Sequence, residues 1–365
     1  MHASGKAPDG AGAEQVSPAK GTADAGPASW RRLIVGLLIA LVLASIMATT
    51  YISADHGGVA HNLPWGQVGS SPLTTTVEKS VSLQVHQYAS QADLEQAANQ
   101  SKIYGGFVAQ GNTLILSEAA SLGAPAVMTS AYEQAAKQSG VKLQVKEINK
   151  FPPQDPDGAV PGIALIVLLI AGYLGATFAM MRTKTTARHH RVTALLGYSV
   201  VAGLVIDLIA GPILGGYPDI GRNFWLLWPI FAFICFAVAL VAATLQTLIG
   251  PLGTLLTVIL IVFIGNPSTG GGNGVAFLPP FWQALGGVLP PRSGLYLIRN
   301  TLYFGGNDIT TPIIILSIYV VIGAALVLFF SWGHLHWKGK KEETTGPPEP
   351  IDPDEQIGIA AIPPA

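Results

Sequence analysis

The sequence predicts an α-helical integral membrane protein. It should have six transmembrane helices, an extracytoplasmic α+β domain between the first and second, and a re-entrant outer segment before the sixth. Three observations carry that expectation. Hydrophobic residues make up 50% of the 365 and charged residues only 11%, whereas soluble domains carry about 25% charge. Apolar runs of membrane length recur, and one long polar segment, 53–160, interrupts them. The stretch 264–308 lies between two such runs and suits neither a span nor an ordinary loop.

Residues 1–30 are mainly Ala, Gly, Pro, Ser and Lys without period and read as a disordered cytoplasmic tail. Arg31 and Arg32 then precede 33–52, about twenty residues without a charge, long enough to span. A signal peptide or a twin-arginine export signal would share this basic start. The run is longer than the roughly 7–15 residues of a usual signal core, and no A-x-A site follows. An uncleaved first helix over 31–52 is therefore expected.

The polar segment 53–160 has its own periodicities. VSLQVHQY alternates as a strand should, with Val81, Leu83 and Val85 on one face. Residues 89–102 read as a helix with a Ser start signal, and IYGGFVAQGNTLILSEA as two strands joined by a turn at Gly111 and Asn112. A second helix over 125–139 and a last strand, VKLQVKEI, complete a β-α-β-β-α-β order. Gly105 and Gly106 read as a bulge. Asp155 and Asp157 read as a turn in the stiff linker FPPQDPDGAVP. His56, His61 and His86 have no ligand spacing, so no metal site is expected.

Five further spans follow in a membrane domain over 161–336. Two are 162–181 and 192–214. Residues 224–265 hold no ionisable group except Cys235; as a helix this run would measure about 63 Å, twice a ~30 Å hydrocarbon core. It must be two spans, 224–246 and 249–265, broken near Gly250 and Pro251. The last span is 312–332, after an outer loop over 266–311. Arg182, Lys184, Arg188 and Arg191 lie between the second and third spans, Arg222 alone between the third and fourth, and Lys338, Lys340 and Lys341 after the last. The positive-inside bias then places both termini in the cytoplasm of a plasma-membrane protein, with 53–160 and 264–308 together outside. Residues 337–365 read as an acidic, Pro-rich disordered tail.

Several function classes fall away. The formal charge of −1, without a basic aromatic patch, argues against a nucleic-acid partner. There is no G-x-x-x-x-G-K-[ST] for ATP, no arguable Ser-His-Asp or Cys-His set, and no cofactor motif, so no enzyme is expected. The lone Cys235 sits in a span and can form no intrachain disulfide. Asp207 stands out, because an ionisable group inside a span is a default functional candidate. It reads either as a polar clamp, with Arg222 or a Tyr as partner, or as a substrate or proton site. Gly172 and Gly175 suggest close helix packing. The basic loop with Arg182, Lys184, Arg188 and Arg191 is what orientation alone demands. His189 and His190 are adjacent and should point apart on a helix.

The stretch 264–308 combines three textures. GNPSTGGGNG cannot hold a helix, FLPPFWQALGGVLPP is a short apolar piece fenced by Pro pairs, and SGLYLIRNTLYF puts Leu295, Ile298 and Leu302 on one helical face. Apolar pieces of roughly 10–14 residues are more often re-entrant or interfacial than spanning. GNP-S-x-GG, LP-x-FW, LPP and IRN-x-LYFGG, in that order, resemble the last outer loop of the phage-infection-protein (YhgE/Pip-like) family, within the type 2 ABC-transporter permease superfamily. The order of spans and the FPPQDPDG linker are similar too. The resemblance implies that Gly265, Asn266, Pro267, Gly270, Gly271, Leu278, Pro279, Phe281, Trp282, Leu289, Pro290, Pro291, Arg299, Tyr303, Phe304 and Gly305 shape the outer re-entrant element, with no catalytic role. It also implies a bilayer-embedded permease that pairs as a homodimer or with a second permease. A separate ATPase would dock on the Arg182, Lys184, Arg188 and Arg191 loop and drive export of a lipid, peptide or drug-like molecule. A non-transporting surface receptor and an envelope or secretion scaffold are the alternatives.

Overall fold

A computed structural model describes residues 27–182 and 188–343, with side chains over 30–181 and 189–330. The chain divides into two compact units, Met1–Ile46 and Met47–Ala365. The described part of the first is the opening of helix α1 (Pro27–Asp55). This helix begins inside the segment expected as tail, with Pro27 in the first turn, where a missing N–H is harmless. Leu33, Leu37 and Leu41 on it are exposed.

The second unit opens with the end of α1 and then a sheet domain. Its elements are β1 (Leu63–Val68), α2 (Pro72–Val77), β2 (Leu83–Tyr88), α3 (Gln91–Asn99), β3 (Gly105–Val108), β4 (Thr113–Ser117), α4 (Gly123–Ser139) and β5 (Gln144–Ile148). The strands form one sheet in the order β2-β1-β3-β4-β5, antiparallel only between β3 and β4. The turn at Gly111 and Asn112 joins that antiparallel pair, both residues having positive φ. Ser90 caps α3 by accepting from the Asp93 N–H, as its start signal implied.

Two elements differ from the sequence expectation. β1 and α2 come before the expected first strand, and β1 is central to the sheet. Pro64 and Gly66 disguise it, because neither favours a strand. Pro64 is tolerated because the registered ladder with β3 begins only at Gly66. Gly105 and Gly106 form no bulge but pair regularly with β4. A Cβ on Gly106 would sit 2.6 Å from the Gly66 carbonyl oxygen and 2.5 Å from Leu94. Glycine is there for close approach of α3 and β1.

Apolar cores cover both faces of the sheet. Leu63, Trp65, Phe107, Leu114, Met128 and Tyr132 are buried under α2 and α4, and Leu94, Ala98, Ile103 and Ile115 under α3. Trp65 Nε1 donates to the Tyr132 hydroxyl at 3.0 Å, and Thr74 bonds the same oxygen at 3.0 Å. Burial pushes the Tyr132 phenol up to about 12, with those two hydrogen bonds opposing it.

The helical part comprises α5 (Val160–Arg182), α6 (Arg188–Leu208), α7 (Ile220–Ile249), α8 (Pro251–Thr257), α9 (Pro280–Val288), α10 (Pro290–Tyr303) and α11 (Thr310–Glu343). Among the described residues six helical segments are long and apolar enough to cross a membrane, so this is a multi-pass membrane protein by length and composition. Gly250, at φ 63° and ψ −135°, breaks α7 from α8 where the sequence placed the break. α11 continues to Glu343, beyond the expected boundary at 336; Lys and Glu are good helix formers.

α7 is the central post, with Phe231, Ile234, Cys235, Ala239 and Leu240 fully buried and α5, α6, α10 and α11 around it. Small residues set the spacing. A Cβ on Gly172 would lie 2.8 Å from the Cys235 carbonyl oxygen, and one on Gly203 2.6 Å from the Ala232 nitrogen. α6 ends in a π-helical turn, Ile209–Ile213, that contains Pro212. Proline cannot donate to the preceding turn, and Leu214 N–H reaches back to the Ile209 carbonyl at 3.0 Å. A second π-helical stretch, Val258–Gly265, follows α8.

Candidate functional site

The stretch 264–308 folds as a helical hairpin, α9 and α10, preceded by a glycine-rich turn. Each Pro pair starts a helix. Pro280 and Pro290 follow residues in extended conformation, Pro279 (ψ 149°) and Leu289 (ψ 145°), because proline disfavours the helical region for the residue before it. Gly270 (φ 82°), Gly271 (φ 49°) and Gly305 (φ 62°) take positive φ, which fits glycine. A Cβ on Gly265 would be 2.7 Å from the Pro291 ring. Asn266 donates to the Tyr51 hydroxyl at 3.0 Å, and Tyr51 donates to the Val262 carbonyl at 3.3 Å, tying the π-helical stretch to the end of α1. Pro267 opens a 3-10 turn, Trp282 is buried and Phe281 is exposed.

Arg292 holds the hairpin closed. Its guanidinium donates to the carbonyls of Ser268 (Nε 3.0 Å, Nη2 2.5 Å), Trp282 (2.9 Å) and Gln283 (2.6 Å). Burial lowers its pKa, and the nearby phenols of Tyr296 and Tyr104 oppose the shift. This role is not legible from sequence, since its acceptors are the backbone carbonyls of Ser268, Trp282 and Gln283.

α10 joins the helices to the sheet domain. Leu295, Ile298 and Leu302 are buried, and Gly294 lets α10 approach Leu165 of α5 and Ile234 of α7. On the sheet side, Arg299 Nη2 donates to the carbonyls of Ala119 (2.6 Å) and Ala120 (2.7 Å), and Ser101 donates to Asn300 Oδ1 at 3.4 Å. Leu122 N–H donates to the Gly272 carbonyl at 2.8 Å and His61 N–H to the Ala276 carbonyl at 2.7 Å; the Ser121 hydroxyl donates to the Asn273 carbonyl.

Asp155, expected only as a turn residue, is a staple. Its carboxylate accepts from the N–H groups of Ala159 (2.8 Å) and Val160 (3.0 Å) at the start of α5, and from the Tyr303 hydroxyl at 3.0 Å. Burial raises the Tyr303 phenol, and the adjacent Asp155 adds to the rise.

Between the sheet domain and the hairpin lies a cavity of about 430 Å³. His61, Gln84, Lys102 and Tyr104 line it from the sheet domain, and Gln283, Tyr296, Arg299, Asn300, Phe304 and Asp308 from the hairpin and the turn after it. Burial raises the phenols of Tyr104 and Tyr296, and the Arg299 charge opposes both shifts. Partial desolvation raises the Asp308 carboxyl, although the residue is exposed, and the Lys102 charge opposes the shift.

The other candidates fall elsewhere. Asp207 is fully buried on α6. The expected alternative of pairing with Arg222 is not made among the described residues, because Arg222 is exposed in the first turn of α7. The Tyr217 hydroxyl is the group that faces Asp207, outside strict hydrogen-bond geometry, so a Tyr rather than Arg222 is its neighbour. In the basic loop, Lys184 and the side chains of Arg182 and Arg188 lie outside the described residues, and Arg191 is half-buried on α6. His189 and His190, expected to diverge, have ring centroids 4.2 Å apart. Among the described residues no three His, Cys, Asp or Glu side chains cluster to hold a metal. Set against known families, curated proteins and solved structures, the chain matches none.

Proposed function

We propose that this multi-pass protein is the permease half of an exporter of the type 2 ABC kind. It works in the plasma membrane as a homodimer or beside a second permease, and a separate ATPase drives it. The sheet domain and the hairpin then face the outside, both termini the cytoplasm, and the hairpin enters the membrane surface as a re-entrant element. The substrate class is a lipid, peptide or drug-like molecule. One observation carries this reading: α10 touches α5, α7 and α11 while Arg299, Asn300 and Tyr303 on it grip the sheet domain and its linker. A helix so placed transmits a movement of the bundle to the sheet domain, which an export cycle needs and a passive anchor does not. Arg31, Arg32, the 182–191 loop and Lys338, Lys340 and Lys341 supply the cytoplasmic charge.

The test is co-purification of the detergent-solubilised chain from its own cells, beside a variant with Arg182, Lys184, Arg188 and Arg191 changed to Gln. An ATPase held by the native chain and lost from the variant is expected. Envelope or surface proteins in place of any ATPase would overturn the proposal in favour of a receptor or scaffold.

A further inference from the structure

We infer that the cavity between the sheet domain and the hairpin binds a small polar solute carrying an oxyanion, a carboxylate or a phosphate, through Lys102, Arg299, Tyr104 and Tyr296. The size is right: about 430 Å³ falls within the roughly 300–1,000 Å³ of small-molecule sites. The charge is right as well. Lys102 and Arg299 line the cavity against one carboxylate, Asp308; Lys102 and Asp308 are both exposed and Arg299 is half-buried.

Among the described residues neither cation makes an ion pair, although the Lys102 charge acts on Asp308. Among the described residues the ion pairs are Lys146 with Glu95 and Lys150 with Glu147, so the half-buried Arg299 meets no carboxylate. One terminal nitrogen of Arg299 is fixed on the Ala119 and Ala120 carbonyls. That anchors the guanidinium and leaves its other nitrogens as oriented donors, the arrangement that favours oxyanions. Asn300 is committed at both ends, to Ser101 and to the Asp308 carbonyl, so it holds the wall rather than the ligand. Among the described residues the Tyr296 hydroxyl has no hydrogen-bond partner. With Tyr104 it offers a donor beside an aromatic ring, while Gln84 and Gln283 add neutral polar contacts for the rest of the ligand. A free solute and an anionic lipid headgroup share this chemistry.

The full chain is placed in phosphatidylcholine nanodiscs and titrated calorimetrically with inorganic phosphate, glycerol 3-phosphate and glucuronate. Phosphatidylcholine vesicles with and without phosphatidylglycerol form the lipid arm. Saturable binding of at least one probe is expected, weakening as salt rises. Lys102→Gln and Tyr296→Phe should each weaken it by about tenfold. These two substitutions carry the test because Arg299→Gln also removes the two carbonyl contacts that tie α10 to the sheet domain. Binding of the soluble probes identifies a free solute; Lys102-dependent binding of only the anionic vesicles identifies a headgroup. No saturable binding in either arm, or binding unchanged in both variants, would overturn the inference. The readout needs no ATPase, so its failure is separate from that of the transport reading.

Discussion

Asp155 and Asp207 are both buried carboxylates, at 5% and 0% exposure, and the protein treats them in opposite ways. Asp155 sits where the linker enters α5, and its oxygens receive two backbone N–H groups and a phenol. Asp207 sits two residues before the π-helical end of α6, and among the described residues its oxygens face only the Tyr217 hydroxyl, outside strict hydrogen-bond geometry. Burial alone therefore does not say what a carboxylate is for. Hydrogen-bonded at a helix start, it stabilises the helix and fixes the chain entering it. Without such partners within a span, a carboxylate carries an uncompensated desolvation cost and is by default a candidate for function.

The largest expected effect is on the paired side. Asp155→Ala removes three accepted hydrogen bonds and strands the Tyr303 hydroxyl, and should cost about 2–4 kcal/mol, read as a lowered unfolding midpoint of the purified chain. Asp207→Asn removes an acidic group that makes no ion pair among the described residues. It should leave that midpoint unchanged or raise it by up to about 1 kcal/mol, and a loss as large as that of Asp155→Ala would erase the contrast.

A third carboxylate sets the lower bound. Glu95 accepts from Lys146 at 2.7 Å near the sheet edge, where solvent screens the pair. The hydrogen bond from Lys146, followed by that from Gln91, lowers the Glu95 pKa. Lys146→Gln should cost no more than about 1 kcal/mol at neutral pH. Because the folded-state pKa is depressed, that contribution is present above the ordinary glutamate value and lost as pH falls through the lowered one. Native and variant midpoints should therefore converge in acid.

The long apolar runs were legible because a span is a local property, and so was the break at Gly250 and Pro251, where length alone demanded one. The antiparallel pair was legible from Gly111 and Asn112, residues that accept positive φ. β1 was hidden because a strand buried on both faces shows no alternation, and Pro64 and Gly66 mask what remains. Asp155 was hidden because two of its donors, the Ala159 and Val160 N–H groups, are reached through a turn at Gly158 (φ 57°), and the third, Tyr303, is distant in sequence. The cavity was the least legible, since its wall draws on residues from His61 to Asp308 that only the tertiary fold brings together. Asp207 could be singled out, but not which group faces it, because that depends on where the tertiary fold puts Tyr217 and Arg222.

The most direct measurement is a pair of double-mutant cycles on the purified full chain, one with Asp155→Ala and Tyr303→Phe, the other with Asp207→Asn and Tyr217→Phe. The first pair should couple by about 1–2 kcal/mol and the second by less than about 0.5 kcal/mol. Equal couplings, or a larger one at Asp207, would contradict the view that the protein built one of these carboxylates into its frame and left the other without such partners.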